Sequence, residues 1–420
     1  MAYNWKDGNI QQRTFLFFLL ILIFFSVLSV VNSSSCFQVY AEPANIPSLF
    51  LSIQVEGNPN IIHLEKGRTL YKIMAYKEAA AEFSRIEKVD QQDNKELQDI
   101  IEESLYLRAN SLMKIGDYSG AMALIDLIPG KSRFYRYGTY TRAMISLNIS
   151  KEEDTIKYLK QIVKNSPAPR TANDKQDDLI ENLSLKSDTT LGFIYLERNN
   201  PEEAIKHFAV IPRESPFYTQ ALFGSGWAYA TMGRWVRTVV FWEELVNLYP
   251  EDKYAREVVP FIGHAYVTLS AYGKALEQNG IALRYYEDIL KRFSDIEQEI
   301  NARNIKGIAH AIEVVGDKDF ANEWDLFNGL LYMEEYISGH HVPASQGNEN
   351  PSSDEVLINA LREKRRKIID GISKSLRHRI EDLKHQLRES SVNTSLEIAG
   401  NLRLEGGGHI SNDMIFDDHD

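Results

Sequence analysis

Leu191-Gly192-Phe193-Ile194-Tyr195 is followed by Asn199-Asn200-Pro201-Glu202-Glu203-Ala204-Ile205 and then by Phe208. Thirty-four residues after its start stands Ser225-Gly226-Trp227-Ala228-Tyr229, followed by Gly233-Arg234-Trp235, Trp242 and Tyr249-Pro250. Each stretch reads as two short helices around a turn, with small and aromatic residues in the first and an apolar stripe at helical spacing in the second. A small residue in the first helix lets the second approach closely, and the aromatic fills the adjacent hole. Recurrence at a fixed period of this length predicts stacked hairpins rather than one globular core.

The same skeleton recurs on both sides. Leu105, Ala109 and Leu112 precede the turn Gly116-Asp117-Tyr118, which leads to Ala121, Ile125 and Ile128; earlier, Tyr76-Lys77-Glu78-Ala79 leads to Phe83 and Ile86. Downstream, Gly263 and Tyr266 precede Tyr272-Gly273-Lys274-Ala275, and a weaker copy joins Ala143 to Thr155, Leu159 and Ile162. The equivalent positions Ala79, Ala121, Thr155, Ala204, Thr238 and Ala275 are separated by 42, 34, 49, 34 and 37 residues. The longer gaps include the polar stretch from Asn165 to Ser184, read as an inter-helix loop with partial helix.

These residues resemble the tetratricopeptide repeat, whose signature is a small residue and an aromatic in the first helix, then Ala, an aromatic and Pro in the second half. Gly226, Tyr229, Trp235, Trp242 and Pro250 match it in one unit, where Thr238 departs from the Ala; Gly192, Tyr195, Ala204 and Phe208 match it in the unit before. The resemblance covers Arg68 to Leu290, and its irregular spacing is similar to that of exported bacterial envelope members. It implies an all-α, irregular solenoid of antiparallel helix pairs, in which Ala109, Ala121, Gly192, Ala204, Gly226, Trp242 and Gly263 pack the hairpins. In the family, peptides lie along the face made by the first helices. That places Tyr106, Asn110, Tyr140, Met144, Phe193, Trp227 and His264 in a partner-binding groove, although Phe193 and Trp227 serve equally well as packing between repeats. The family's clamp for a C-terminal carboxylate is not expected, because Tyr106 stands where its Lys belongs.

Around the array, residues 1–41 contain an apolar run from Thr14 to Val31 with Lys6 and Arg13 before it. This reads as a signal peptide, with Val39-Tyr40-Ala41 as its cleavage site, or as a signal anchor, since about 17–25 apolar residues span a bilayer. Either reading puts the rest of the chain outside the cytoplasm. The array is expected over 61–300, a degenerate repeat or capping helix pair split at Gly316-Asp317 over 301–337, and a linker over 338–354. A basic amphipathic helix is expected over 355–390, with Leu361, Ile368, Ile372, Leu376, Leu383 and Leu387 as its stripe, and a disordered tail over 391–420. Ten Lys or Arg against four Asp or Glu between Arg362 and Arg388 make that helix either a docked helix with a solvated basic face or a contact for an acidic partner or anionic headgroups.

Composition narrows the function. A formal charge of −12 excludes a nucleic-acid binder by overall electrostatics. One cysteine, Cys36, excludes an intrachain disulfide framework or a Cys-based zinc site. Gly130-Lys131-Ser132 resembles the end of a phosphate-binding loop, but Ile125 occupies the position of the earlier glycine and a helix precedes it, so no nucleotide is expected. Gly224-Ser225-Gly226 lies inside a helix, where close packing explains it. His340-His341 lacks a third metal ligand nearby in sequence. The expectation is therefore a non-catalytic scaffold or adaptor of the bacterial cell envelope, with no cofactor, no metal and no small-molecule ligand. It would bind proteins or peptides, and touch the membrane through its N-terminal segment if uncleaved. A rival is a lipid-associated assembly factor similar to lipoproteins that help build outer-membrane barrels, with Cys36 bearing the lipid; Ser33 three places earlier, where Leu is usual, weighs against it.

Overall fold

The computed structural model describes residues 46–52, 57–86, 95–164, 175–302, 304–339 and 353–405. Among them are sixteen helices and no strand. After α1 (Ile46–Leu51) come six hairpins: α2 (Pro59–Lys72) with α3 (Tyr76–Ser84), α4 (Lys95–Lys114) with α5 (Tyr118–Asp126), α6 (Tyr135–Asn148) with α7 (Glu152–Lys164), α8 (Lys175–Glu197) with α9 (Pro201–Phe208), α10 (Tyr218–Thr231) with α11 (Trp235–Leu248), and α12 (Lys253–Thr268) with α13 (Tyr272–Asn301). Then follow α14 (Ile305–Val315), α15 (Lys318–Gly339) and α16 (Ser353–Glu405). The apolar run at 14–31, Cys36 and His340-His341 lie outside the described residues. Among the described residues no helix is long and apolar enough to cross a membrane.

One packing rule builds all six hairpins. A small residue on the first helix faces the residue sixteen positions later on the second. A Cβ at Gly67 would come within 2.4 Å of Phe83, at Gly192 within 2.5 Å of Phe208, at Gly226 within 2.1 Å of Trp242, and at Gly263 within 1.7 Å of Asn279. Ala109 and Ala143 hold the same position, with buried Ile125 and Leu159 sixteen residues on. Twelve residues after the small residue stand Ala79, Ala121, Thr155, Ala204, Thr238 and Ala275, all fully buried. Where this position is Thr, its hydroxyl donates across the hairpin: Thr238 to the Gly226 carbonyl at 3.2 Å and Thr155 to the Ala143 carbonyl at 3.4 Å. The hydroxyl thus occupies a close-packed site without an unmet hydrogen bond.

The turns obey the same count. Seven residues after the small one, Met74, Gly116, Ser150, Asn199, Gly233 and Ser270 all have φ between 54° and 85°. That left-handed residue reverses the chain in about one residue, at a cost for the non-glycines. Helix starts are marked locally: Asn200 accepts from the Glu203 N–H ahead of Pro201, and Asp117 from the Gly120 N–H. His63–Glu82 and Asp188–His207, each at 2.8 Å, occupy equivalent positions in two hairpins with the partners exchanged.

The chain divides into two compact units, residues 1–187 with 318–372 and residues 188–317 with 373–420; α8 and α16 contribute to both. This division corrects the expected helix pair at 301–337. Gly316, with φ of 67°, ends α14, which stays in the second unit, where the Arg256 guanidinium donates to the carbonyl of Val314 at 2.7 Å. The next helix, α15, belongs to the first unit and packs on α2. Gly329 makes that possible: a Cβ there would stand 2.3 Å from the Lys72 carbonyl oxygen. Lys72 also lies 3.2 Å over the Tyr332 ring, and Tyr336 meets Phe50 edge to face.

The C-terminal helix departs from expectation at both ends. It begins at Ser353 and runs to Glu405, so 391–405 is helix rather than tail, and 338–339 and 353–354 are helical rather than linker. Leu361, Ile368, Ile372, Leu376, Ile380 and Leu387 are buried, whereas Leu383 is only half-buried and Lys384 takes the inward position. In the first unit Arg362 and Arg365 pair with Glu334 of α15. In the second, Lys384 pairs with Glu297, Arg377 donates to Asn301 at 2.9 Å, and Arg379 lies 3.8 Å from Asp317. These basic groups are met by α13, α15 and the turn before α15, as on a docked helix. The stretch from 165 to 184 also contains more helix than expected, because α8 begins at Lys175.

Candidate functional site

The first helices of the first unit, α2, α4, α6 and the start of α8, bring one set of groove candidates together. Tyr106 of α4 stacks on Phe134 at 5.7 Å and leans on Tyr137 at 5.8 Å. Burial pushes its phenol pKa up, as it does for Tyr71 of α2. One turn later Asn110 is buried; its Oδ1 accepts from the Thr141 hydroxyl at 2.8 Å, so it ties α4 to α6 rather than facing solvent. Tyr140 and Met144, one turn apart on α6, are half-buried. The Lys186 ammonium of α8 lies 5.1 Å over the Tyr140 ring, a cation–π geometry. Burial, and then the charge of Lys114, lower the Lys186 pKa.

Beside this aromatic strip runs a trough of about 550 Å³ between α2 and α4. Ile61, Leu64 and Ile100 line it together with seven charged residues, among them Arg68 and Glu103, which pair with each other. Arg68 Nε donates to Glu103 at 2.7 Å, while Glu65 and Arg133 complete the ionic network. Arg68 and Leu64 stand at the same offsets from Gly67 as Asn110 and Tyr106 do from Ala109. The repeat alignment, carried back to Gly67, marks both positions from sequence alone.

The remaining candidates lie in the second unit and serve mostly as packing. Phe193 meets Phe208 edge to face at 5.1 Å. Trp227 is only 5% exposed, with Trp242 at 4.7 Å, Phe261 at 5.4 Å and Phe223 at 6.1 Å. Its ring is core, not groove wall, because the following hairpin supplies Phe261 to cover it. His264 is exposed. Among the described residues no group of three or more His, Cys, Asp or Glu is placed to hold a metal.

Residues 220–252 match the family model described as tetratricopeptide repeat. No match is found among the curated proteins. Of solved structures, the TPR2AB domain of yeast Sti1 in a complex with pHSP90 is 13% identical, with a TM-score of 0.23, over 55% of this chain and 92% of that one. A Rap protein complexed with Competence and Sporulation Factor is likewise 13% identical, with a TM-score of 0.27, over 81% of this chain and 99% of that one. The match at 220–252 covers α10 and α11, the hairpin in which Gly226 faces Trp242.

Proposed function

We propose that this chain, which carries a tetratricopeptide repeat at 220–252 and five further hairpins built on the same packing rule, is a non-catalytic scaffold that binds segments of other proteins. The observation that carries this reading is the strip of Tyr106, Phe134, Tyr137 and Tyr140, with Lys186 over its end and a trough of apolar and charged lining alongside. Partly buried aromatics lose little conformational freedom on binding and supply a large share of interface energy. Tyr140→Ala combined with Lys186→Glu should lose the partners that the full chain retains on co-purification, while Val236→Glu on the exposed side of α11 keeps them. Equal retention by both variants, each with an unchanged melting temperature, would move the binding face elsewhere.

The setting we propose for the scaffold is the bacterial cell envelope, and what supports it is the run from Thr14 to Val31, whose eighteen residues carry no charge. Fifteen exposed apolar residues in one run would form a patch beyond what soluble monomers tolerate, whereas membrane insertion buries them. Lys6 and Arg13 then hold the N-terminal tail inside. Protease added to spheroplasts should digest the region after Glu42 while cytoplasmic controls survive. Digestion only after lysis would remove the envelope setting and every partner in it.

A further inference from the structure

The two loops that lead into α6 and α10 are near duplicates. One reads Ile128-Pro129-Gly130-Lys131-Ser132-Arg133-Phe134-Tyr135, the other Ile211-Pro212-Arg213-Glu214-Ser215-Pro216-Phe217-Tyr218. Their backbones agree bond for bond. The Ser N–H donates to the Pro carbonyl at 2.9 and 3.0 Å, and the Tyr N–H to the Ser carbonyl at 3.1 and 3.0 Å. The Phe N–H donates to the Ser hydroxyl at 3.0 and 3.2 Å. In both, the Tyr hydroxyl meets the residue twenty-six positions on, Gln161 at 3.2 Å or Glu244 at 2.9 Å.

The scaffold is the same and the charges are not. In the second loop Tyr218 donates its proton to the Glu244 carboxylate, and the variable positions are Arg213, Glu214 and Pro216. In the first, Gln161 donates its amide N–H to the Tyr135 oxygen, so the phenol proton remains for another acceptor. The variable positions there are Gly130, Lys131 and Arg133, and Arg136 follows in the first turn of α6. A cavity of about 420 Å³ opens among Lys131, Ser132, Arg133, Arg136 and Gln161, with no carboxylate in its wall. Arg133 is partly neutralised by Glu103 at 3.6 Å, which Arg68 also engages. Lys131 and Arg136 have no ion-pair partner among the described residues, and the Arg136 Nη1 is buried without an acceptor. Arg136 lines the cavity without a counter-charge, and a bound oxyanion would supply one.

We infer that this cavity binds a phosphomonoester. Two uncompensated cations and part of a third balance a dianion, whereas a carboxylate would leave one of them unmatched. The cavity is larger than the phosphoryl group alone, so the carrier enters with it. The cavity shares Arg133 with the trough beside the aromatic strip, but the test varies only Lys131 and Arg136, so its failure would leave the scaffold reading intact. The test is isothermal titration of the full chain with inorganic phosphate at constant ionic strength, with acetate as the monoanion control. Saturable phosphate binding, weakened about tenfold or more in Lys131→Gln and in Arg136→Gln, supports the inference; tenfold corresponds to about 1.4 kcal/mol. Should Arg136→Gln not fold, Lys131→Gln carries the result, because that side chain is exposed. Absent binding, equal affinity in the variants, or acetate binding as well as phosphate would overturn it. Glucose 6-phosphate and a neutral peptide bearing one phosphoserine then separate a small-molecule carrier from a phosphorylated partner; tighter binding of either than of phosphate supports the site, and binding of neither would overturn it.

Discussion

Phe208→Ala is expected to destabilise the second unit by about 3–5 kcal/mol, the range for emptying an aromatic site in a packed core. The ring is held from both sides by glycines. A Cβ on Gly192, in its own hairpin, would come within 2.5 Å of it, and one on Gly224, in the next hairpin, within 2.3 Å. Phe193 closes its edge at 5.1 Å. Two neighbouring hairpins therefore meet through one side chain, and neither glycine wall can collapse far enough to fill the hole. Native-state hydrogen exchange should show the ends of α8, α9 and α10 losing protection together. A loss below about 0.5 kcal/mol, the scale of an ordinary surface change, would mean that the hairpins do not depend on this ring.

Gly226→Leu is expected to cost at least roughly 1–3 kcal/mol through overpacking. The first atom of the new side chain would stand 2.1 Å from Trp242 Nε1. The indole cannot swing aside, since Trp227 lies against it at 4.7 Å and Phe261 at 6.3 Å. Trp242→Ala alone should cost about 3–5 kcal/mol. In the double variant the vacated volume receives the leucine, so the two costs should fall short of their sum by roughly 0.5–3 kcal/mol. Melting curves of the four proteins measure this; strict additivity would show that residues 226 and 242 do not face each other.

The repeats were legible because the physics that makes them is local. A small residue, a left-handed turn and a large side chain sixteen positions on are all fixed within one hairpin, and Gly192–Phe208 and Gly226–Trp242 carry the pattern in plain view. Even the apparent exception, Thr238, keeps the rule by donating its hydroxyl to the Gly226 carbonyl. What sequence could not decide depends on contacts between hairpins. Position 227 is a groove or a core position according to whether Phe261, thirty-four residues away, covers it. Helix α15 looked like the partner of α14, yet Gly329 fits it against Lys72 at the other end of the chain. Lys384 replaces Leu383 at the buried stripe because Glu297, on a different helix, supplies its counter-charge. Among the groove candidates, Tyr106, Tyr140 and Met144 are half-buried, whereas Asn110 and Trp227 are taken by packing.

The scaffold reading is tested most directly by a photo-crosslinking amino acid placed at position 140 in the full chain inside cells, with the same group at position 236 as comparison. Val236 is 64% exposed on the second helix of its hairpin, so it samples surroundings at least as freely. The account predicts discrete adducts with a small set of proteins from position 140 and none from position 236. Adducts from 236 with none from 140 would contradict it.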